Sequence, residues 1–331
     1  MAEGWVTRTV KENVLIQSGE CSIRVLPEFG GKIASIRVRD RELLQAPLVP
    51  VAGRTRSMAF DASDASGWDE CVPSVAACRV ETDAGVAAVP DHGDLWRVEW
   101  ENEERDGKNA KRDEGRARPA NSVRLRGHCF SLPLTLERTL DLKPTRKGWE
   151  LQLQYTLTNT GRFAVPWSWA AHPLFAVEAG DRVELPDSMK TLRVEGSAGK
   201  RLGSKGDPVA WPCAGVGSGG IVDLGSVADE RSGVAEKLFA GPLETSEGWC
   251  ALHRPKAGVT IRFRFDPKAT PYLGMWLCYG GWPARGGAKQ MCVALEPATA
   301  PVDSLAETGK WTRMLAAGAS QSWPLWVDLE G

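Results

Sequence analysis

Alternation of apolar and polar residues is the feature that most constrains what this chain can fold into. In the segment 134–142, Leu134, Leu136, Leu140 and Leu142 alternate with Thr135, Glu137, Thr139 and Asp141, and Arg138 is the one interruption. A second alternating segment, 149–157, follows the turn-rich stretch KPTRKG. Successive side chains of a strand point to opposite faces, so each segment predicts a half-buried strand. Together they predict a β-hairpin.

The same two-residue period recurs along the chain. It is clear in 259–265 and looser in 21–26, 32–39, 95–100 and 322–329, whereas no long segment shows the 3.6-residue period of a helix. The strands are separated by turns rich in the chain's 35 glycines and 21 prolines, without a regular strand–helix alternation. This pattern predicts an all-β fold, a large antiparallel β-sandwich.

Two segments are predicted to be solvated loops. Segment 101–118 mixes charges of both signs, and segment 196–220 is rich in Gly, Ser and Lys. Neither separates halves of different composition, and strand-like patterns continue on both sides of each. Because large all-β folds commonly exceed about 200 residues as one unit, we predict a single domain over residues 1–331.

The charge balance and the N-terminal sequence limit partners and location. The chain has 41 basic and 42 acidic residues, so it lacks the basic surplus of a nucleic-acid-binding protein. MAEGWVTRTVKENVLIQ has no apolar stretch of the length that a signal peptide or membrane span requires. We expect a cytoplasmic protein with no nucleic-acid or membrane partner.

The eight cysteines occur without a CxxC pair and in apolar or strand-like contexts. They are expected to be buried free thiols, although their even number also allows a disulfide framework. The glycine spacing of GVGSGG at 215–220 matches a dinucleotide fingerprint, but it does not lie between a strand and a helix. No cofactor is therefore expected.

Four histidines restrict any site that uses imidazole. His92 lies in the turn PDHGDLW ahead of an expected strand, where a rigid scaffold can direct a side chain into a cleft. His172 lies in WSWAAHPLF, and its alternative interpretation is a buried histidine satisfied within the core. His128 and His253 lack such settings and are interpreted as structural.

Acidic residues in apolar surroundings are the next candidates. Glu296 ends the apolar run MCVALEPATAP, where an unpaired charge costs on the order of several kcal/mol, so it indicates either an arranged site or a structural ion pair. Asp69 and Glu70 follow a tryptophan in an expected loop and could bind hydroxyl groups or face water. A metal site made of His92, His172 and Glu296 is also chemically allowed.

Tryptophan is unusually frequent, with 14 in the chain. Indole rings suit the flat apolar faces of sugars, and Trp276, close in sequence to Trp282, is a candidate for such a contact. Most of the tryptophans are expected to fill the core, so this feature favours sugar binding only weakly.

The order of the candidate residues resembles that of the aldose 1-epimerase (galactose mutarotase) family. His92 in DHGDLW, His172 in AAHPLF and Glu296 in ALEPATAPVDSL are separated by 172 − 92 = 80 and 296 − 172 = 124 residues. The resemblance extends to GGKIASIRV at 30–38 and to the last strand at 322–329, and thus spans nearly the whole chain. Its most specific piece is the Glu-Pro followed by Thr, Pro and Asp-Ser-Leu.

The resemblance implies a twisted supersandwich whose concave face holds a small-molecule sugar. It implies that Glu296 takes the proton of the anomeric hydroxyl, that His172 protonates the ring oxygen, and that His92 holds a sugar oxygen. Reclosure after rotation about the C1–C2 bond gives the other anomer without a cofactor. Asp69, Trp276 and Lys237 are the further candidate sugar-binding residues.

Three features depart from the family pattern, and one of them is that AAHPLF around His172 replaces the family's usual Asn-His-Thr-Tyr-Phe. GWDECVP stands where the family has an Asn-Arg motif ahead of the first histidine, and Glu236 and Lys237 in AEKLF replace a sugar-binding aspartate. The identity of the sugar and the oligomeric state are therefore left open. A non-catalytic carbohydrate-binding or sugar-sensing protein on the same fold is the alternative. A polysaccharide lyase is a third possibility, although only Tyr155, Tyr272 and Tyr279 could supply its tyrosine base.

Overall fold

The computed structural model describes residues 13–103, 121–284 and 286–331. About 49% of the described residues are in strands and about 8% are helical, which confirms the all-β prediction. The strands of the first large sheet, in spatial order, are β1 (Val14–Ser18), β2 (Cys21–Leu26), β3 (Lys32–Val38), β5 (Trp68–Cys71), β13 (Ala170–Ala176), β23 (Met291–Ala298), β22 (Tyr272–Tyr279), β19 (Val234–Ala240), β15 (Thr191–Ser197) and β16 (Pro208–Ala210), with β4 (Arg41–Glu42) paired to β3.

The second large sheet faces the first across a shared core. Its strands, in spatial order, are β14 (Arg182–Glu184), β20 (Trp249–Arg254), β21 (Val259–Phe265), β25 (Ser320–Glu330), β11 (Gly148–Asn159), β10 (Leu134–Pro144), β9 (Ser122–His128) and β8 (Glu101–Asn102). Within both sheets the pairs of described strands are antiparallel. Ile23 and Ile36 from one sheet and Leu136 and Leu153 from the other belong to one buried cluster.

Short elements complete the architecture. Three two-stranded ribbons are formed by β6 (Cys78–Thr82) with β7 (Gly85–Val89), β12 (Val165–Trp167) with β24 (Arg313–Leu315), and β17 (Cys213–Gly215) with β18 (Ile221–Asp223). Short 3₁₀ segments cover Pro27–Phe29, Phe60–Ala62, Leu95–Arg97, Ala198–Lys200, Glu230–Ser232, Thr245–Glu247, Leu305–Glu307 and Gly309–Trp311.

The predicted hairpin is confirmed. Strands β10 and β11 pair from Leu134 opposite Asn159 to Pro144 opposite Trp149. The leucines of the alternating pattern are buried, and the intervening polar side chains of β10 are mostly less buried. The alternation arises because β10 and β11 lie in the second sheet with one face on the core and the other toward solvent.

Two local predictions need correction, and a third concerns a segment that lies mostly outside the described residues. Segment 95–100 is not a strand, because Leu95–Arg97 forms a 3₁₀ turn whose side chains are all buried. Segment 196–220 is not one loop, since it holds β16, β17 and a 3₁₀ turn. Most of the predicted loop 101–118 lies outside the described residues.

A buried hydrogen-bond network joins the two sheets. Glu70 on β5 accepts hydrogen bonds at Oε1 from Arg138 Nη1 of β10 at 2.8 Å and from Tyr155 Oη of β11 at 2.9 Å. Its other oxygen, Oε2, accepts one from Trp169 Nε1 at 2.8 Å. A buried charge is tolerated when it is paired and fully hydrogen-bonded. The network therefore fixes β5 against the opposite sheet.

The cysteines follow the sequence prediction in their redox state. All eight are free thiols, and Cys21, Cys71, Cys250, Cys278 and Cys292 are buried, which confirms the interpretation for most of them. Among the described residues, no helix is both long enough and apolar enough to cross a membrane.

Candidate active site

A cavity of about 480 Å³ opens on the face of the first sheet, formed by its central strands and the loops above them. This volume is within the range of small-molecule sites. Its lining residues are Ala59, Phe60, Asp61, Val75, Ala76, Asp91, His92, His172, Leu174, Lys237, Trp276, Trp282, Gln290, Glu296 and Asp303.

The register of four neighbouring strands brings the catalytic candidates to one face. Strands β13 and β23 pair Ala170 with Ala298 and Leu174 with Ala294, so His172 and Glu296, midway between these pairs, lie opposite each other. Residues directly opposite in an antiparallel pair share a face of the sheet. Two strands farther along, Lys237 on β19 lies opposite Trp276 on β22.

Glu296 is the buried centre of the cavity floor. Its side chain has no exposed surface, and Oε2 accepts a hydrogen bond from the ammonium of Lys237. Lys237 also makes an ion-pair contact of 3.5 Å with Oδ1 of Asp303. Oε1 of Glu296 is buried and accepts no hydrogen bond from the described residues. One oxygen of this carboxylate is therefore available to a ligand.

Gly274 makes room for this arrangement. It lies on β22 directly opposite Glu296 on one side and Phe239 on the other. A Cβ atom at position 274 would lie 3.0 Å from Oε2 of Glu296 and 3.2 Å from the ring of Phe239. Any larger residue would crowd the carboxylate, so the missing side chain allows Lys237 and Glu296 to meet across β22.

His92 and His172 form an aromatic cluster with Phe60. The ring of Phe60 stacks on that of His92 with centroids 3.7 Å apart and an angle of 8°, and meets His172 edge-on at 5.5 Å. The two imidazoles are themselves edge-to-face at 5.0 Å. Stacking and edge contacts of this kind restrict the orientation of each ring.

The turn that carries His92 is tightly built. His92 has a positive φ of 57°, and the following Gly93 has one of 69°. A Cβ on Gly93 would lie 2.2 Å from the carbonyl oxygen of Val72, so only glycine fits there. Nδ1 of His92 lies 2.9 Å from Oδ2 of Asp91, which is within ion-pair distance.

Burial and neighbouring charges shift the pKa values of the cavity groups. Burial, followed by the influence of His92 and Lys237, lowers the pKa of His172 well below its usual value, so its imidazole is neutral at neutral pH. Burial raises the pKa of Glu296 and Lys237 opposes this rise. Burial would lower the pKa of Lys237, but Asp303 and Glu296 raise it above the usual value, which keeps the ammonium charged.

The comparisons with known proteins agree with this geometry at the level of fold. No protein-family model matches the chain, and no curated protein does either. The chain is similar over its full length to the Slr1438 protein of Synechocystis sp. PCC 6803, with 16% identity and a TM-score of 0.69 over 100% of this chain and 99% of that one. A galactose mutarotase-like protein from Lactobacillus casei ATCC 334 is 17% identical, with a TM-score of 0.58 over 96% and 100% of the two chains.

A galactose mutarotase related enzyme from Lactobacillus acidophilus is 12% identical, with a TM-score of 0.60 over 97% of this chain and 98% of that one. The chain has the galactose mutarotase-like fold. The supersandwich expected from the resemblance is thereby confirmed, while identities this low speak to the fold alone.

In this mutarotase-like fold, five of the six predicted site residues line one cavity: His92, His172, Lys237, Trp276 and Glu296. The indole N–H of Trp276, however, donates to Oε1 of Gln290 at 3.0 Å, and Nε2 of Gln290 donates to the carbonyl of Ala65. Trp276 therefore lines the cavity with its indole N–H already bonded. His128 and His253 lie in the second sheet, outside the cavity lining.

Asp69 is not brought to the cavity of the mutarotase-like fold. It lies on strand β5, not in the expected loop, and accepts a hydrogen bond from Nζ of Lys32 at 2.7 Å. Its other oxygen is 3.4 Å from Nη1 of Arg54. Asp64 completes this buried network, at 3.1 Å from Lys32 and 2.7 Å from Arg54. Both oxygens of the Asp69 carboxylate contact cations, so neither is available to a ligand in the cavity.

Several cavity residues were missed from the sequence. Asp303 lies in the APVDSL piece of the family-like motif, and that motif was its only signal. Phe60, Asp61 and Gln290 lie on connections with no periodic pattern, so nothing in the sequence links them to His92 or Glu296. Within the described residues, no cluster of three or more His, Cys, Asp or Glu side chains has the arrangement needed to hold a metal ion.

Proposed function

We propose that the protein is a cofactor-independent aldose 1-epimerase that interconverts the α and β anomers of an aldose. The observation that supports this most strongly is the position of His172 and Glu296, opposite each other on β13 and β23 and lining one cavity. A proton donor and a proton acceptor held on rigid strands are what ring opening requires. The expected cytoplasmic location belongs to the same proposal, and the eight free thiols support it.

Ring opening balances as a paired proton transfer. Oε1 of Glu296, which has no hydrogen-bond partner among the described residues, accepts the proton of the anomeric hydroxyl as the C1=O bond forms. The C1–O5 bond breaks, and O5 takes a proton from His172. Rotation about C1–C2 exposes the other face of the aldehyde, and the same groups return their protons on reclosure. His92 and the face of Trp276 hold the sugar ring.

The pKa shifts give this mechanism a pH signature. The reactive form pairs ionised Glu296 with protonated His172, yet burial raises the pKa of Glu296 and lowers that of His172. Both forms coexist best on the acid side of neutrality. The pH profile of kcat/KM, which reports groups of the free enzyme, is therefore expected to reach its maximum below about pH 6.5.

The test is the rate of exchange between anomers, measured by saturation-transfer NMR on glucose, galactose and related aldoses. Glu296→Gln and His172→Asn are each expected to lower the rate by about 10² or more. His128→Asn, which changes a half-exposed histidine on β9, is the matched control and should keep the full rate. Wild-type protein that binds an aldose without accelerating exchange would exclude the epimerase.

A non-catalytic sugar-binding protein is the second candidate, favoured by the hydrogen bond between Lys237 and Glu296. A carboxylate that accepts a hydrogen bond from an ammonium, as Glu296 does from Lys237, is a weaker base. For a binding protein, calorimetry would detect the sugar, Glu296→Gln would retain it, and the exchange rate would equal that of buffer.

A further inference from the structure

Carboxylates dominate the charge of the cavity. Among the described lining residues, Asp61, Asp91, Glu296 and Asp303 are acidic, and Lys237 is the one lysine or arginine. The charge of Lys237 is already shared between two of these acids, Glu296 and Asp303. A ligand entering this space meets an excess of negative charge.

Two of the carboxylate oxygens lack a hydrogen-bond donor among the described residues, although Oδ1 of Asp303 lies 3.5 Å from Nζ of Lys237. Oε1 of Glu296 and Oδ1 of Asp303 are buried, and neither accepts a hydrogen bond from the described residues. Glu296 itself is fully buried. An ionised carboxylate only accepts hydrogen bonds, so these oxygens require a donor from the ligand. A hydroxyl provides one donor, whereas an ammonium provides three together with a positive charge.

Two described arginines that lie over the ring of Trp96, Arg54 and Arg97, are committed elsewhere. Nη2 of Arg54 donates to Asp64 at 2.7 Å, and its Nη1 donates to the carbonyl of Phe29 at 3.0 Å. Arg97 donates to the backbone carbonyls of Met58 at 3.0 Å and Asp91 at 2.6 Å. Neither presents the free guanidinium that binds phosphate or carboxylate by paired hydrogen bonds.

We infer that the cavity selects aldoses that carry an amino group, as the ammonium, over aldoses that carry a phosphate or a carboxylate. This inference rests on the proposed function for placing a sugar ring in the cavity. The ammonium is recognised by two carboxylates beside Lys237. Oε1 of Glu296 accepts no hydrogen bond from the described residues, and Oδ1 of Asp303 has only its 3.5 Å ion-pair contact with Lys237. Neutral aldoses bind with intermediate affinity, since hydroxyls satisfy the same acceptors without a charge.

The experiment is isothermal titration calorimetry at about pH 6.5 with glucosamine, glucose and glucose 6-phosphate. Glucosamine and glucose differ only in ammonium against hydroxyl at C2, and glucose 6-phosphate adds an anion to the same ring. Glucosamine is expected to bind at least about tenfold more tightly than glucose, because a charge-assisted hydrogen bond replaces a neutral one. Glucose 6-phosphate is expected to bind more weakly than glucose.

Asp303→Asn is the decisive variant, since it keeps the shape of the side chain and removes its charge. The preference for glucosamine over glucose should fall to less than about threefold in this variant. Asp83→Asn, at an exposed turn position outside the cavity lining, makes the same change in net charge and should keep the preference. Equal binding of glucosamine and glucose by the wild type, or tighter binding of glucose 6-phosphate, would overturn the inference.

The outcome separates this inference from the proposed function. Preferential glucosamine binding that is lost in Asp303→Asn, without accelerated anomer exchange of any sugar, would retain the specificity and remove the epimerase. Accelerated anomer exchange of glucose, together with tighter binding of glucose 6-phosphate than of glucose, would retain the epimerase and remove the specificity.

Discussion

The ammonium of Lys237 on β19 extends across the intervening strand β22 to donate a hydrogen bond to Oε2 of Glu296 on β23. Three strands therefore cooperate to hold one carboxylate, with Gly274 as the gap through which the two side chains meet. This pairing leaves Oε1 of Glu296 toward the cavity. Lys237, which lies two strands away from β23, therefore determines which oxygen of Glu296 faces a ligand.

Lys237→Met is expected to shift the protonation of Glu296. Removing the ammonium leaves burial as the main influence, and burial raises the pKa of this carboxyl. A larger share of Glu296 should then be protonated at a given pH, and the acid limb of the kcat/KM profile should move to higher pH. Lys190→Met, at an exposed position, is the control. An unchanged acid limb would show that Lys237 does not set the state of Glu296.

Gly274→Ala is expected to disturb the site more than the fold. The new methyl group would press on Oε2 of Glu296 and on the ring of Phe239, and such overpacking costs about 1–3 kcal/mol. We expect a drop of about tenfold or more in the anomer exchange rate. Gly196→Ala on β15 is the matched control, because its Cβ would meet Lys237 only at an ordinary 3.8 Å. Full activity in Gly274→Ala would contradict this role.

His172 is expected to make the protein less stable in acid. Its pKa is lowered in the folded state, so below about pH 6.5 the unfolded chain takes up a proton that the folded protein does not. The free energy of unfolding should therefore fall as the pH drops, by up to about 1.4 kcal/mol per pH unit from this group. Urea titrations between about pH 7 and 5 should show a shallower fall for His172→Asn, with His128→Asn as the control. Parallel curves for wild type and His172→Asn would refute the expectation.

Asp69→Asn distinguishes a structural role from sugar binding. It removes the charge that faces Lys32 and Arg54, all of them buried, and breaking such a network costs about 3–5 kcal/mol. Thermal unfolding should reveal this loss, while calorimetry below the new transition should give the wild-type sugar affinity. A loss of sugar affinity at unchanged stability would instead support the role expected from the sequence.

Phe60→Leu tests the aromatic cluster. Leucine removes the stack on His92 and the edge contact with His172, contacts worth about 0.5–1.5 kcal/mol each beyond their buried area. We expect sugar affinity to fall by about three- to tenfold, measured by calorimetry, because His92 is less firmly oriented. Phe163→Leu, at a half-exposed position, should leave affinity unchanged. Equal effects of the two changes would exclude a positioning role for Phe60.

Strands could be predicted from the sequence where one face of the strand is buried and the other faces solvent. Leu134 to Leu142 and Trp149 to Leu157 show the two-residue period because β10 and β11 have one face toward solvent. The strands that form the floor of the cavity have no such pattern: β13, β23 and β19 are buried on nearly every residue, so apolar side chains fill both faces. A continuous apolar run cannot be assigned a face from sequence alone.

The site residues also divide into those that the sequence could reveal and those that it could not. Glu296 and His172 stood out because charged and polar side chains are costly in buried strands, and the family-like motif fixed their order. Asp69 was expected in a loop, and nothing in the sequence indicated its burial, since Lys32 and Arg54, which neutralise it, come from distant positions without any pattern. Pairing across sequence separations of 37 and 15 residues is a property of the fold. The single domain over 1–331 stays a prediction.

The bonds of Glu70 to Arg138 and Tyr155 limit how the cavity can adapt. Any sliding of one sheet over the other would break several buried hydrogen bonds at once, so the floor that carries His172 and Glu296 acts as a fixed template. Larger ligands, such as oligosaccharides, can then be accommodated only by displacement of the connections that carry Phe60 and Trp282. A change in the ligands that the cavity accepts would therefore proceed through the rim, with the sheets unchanged beneath it.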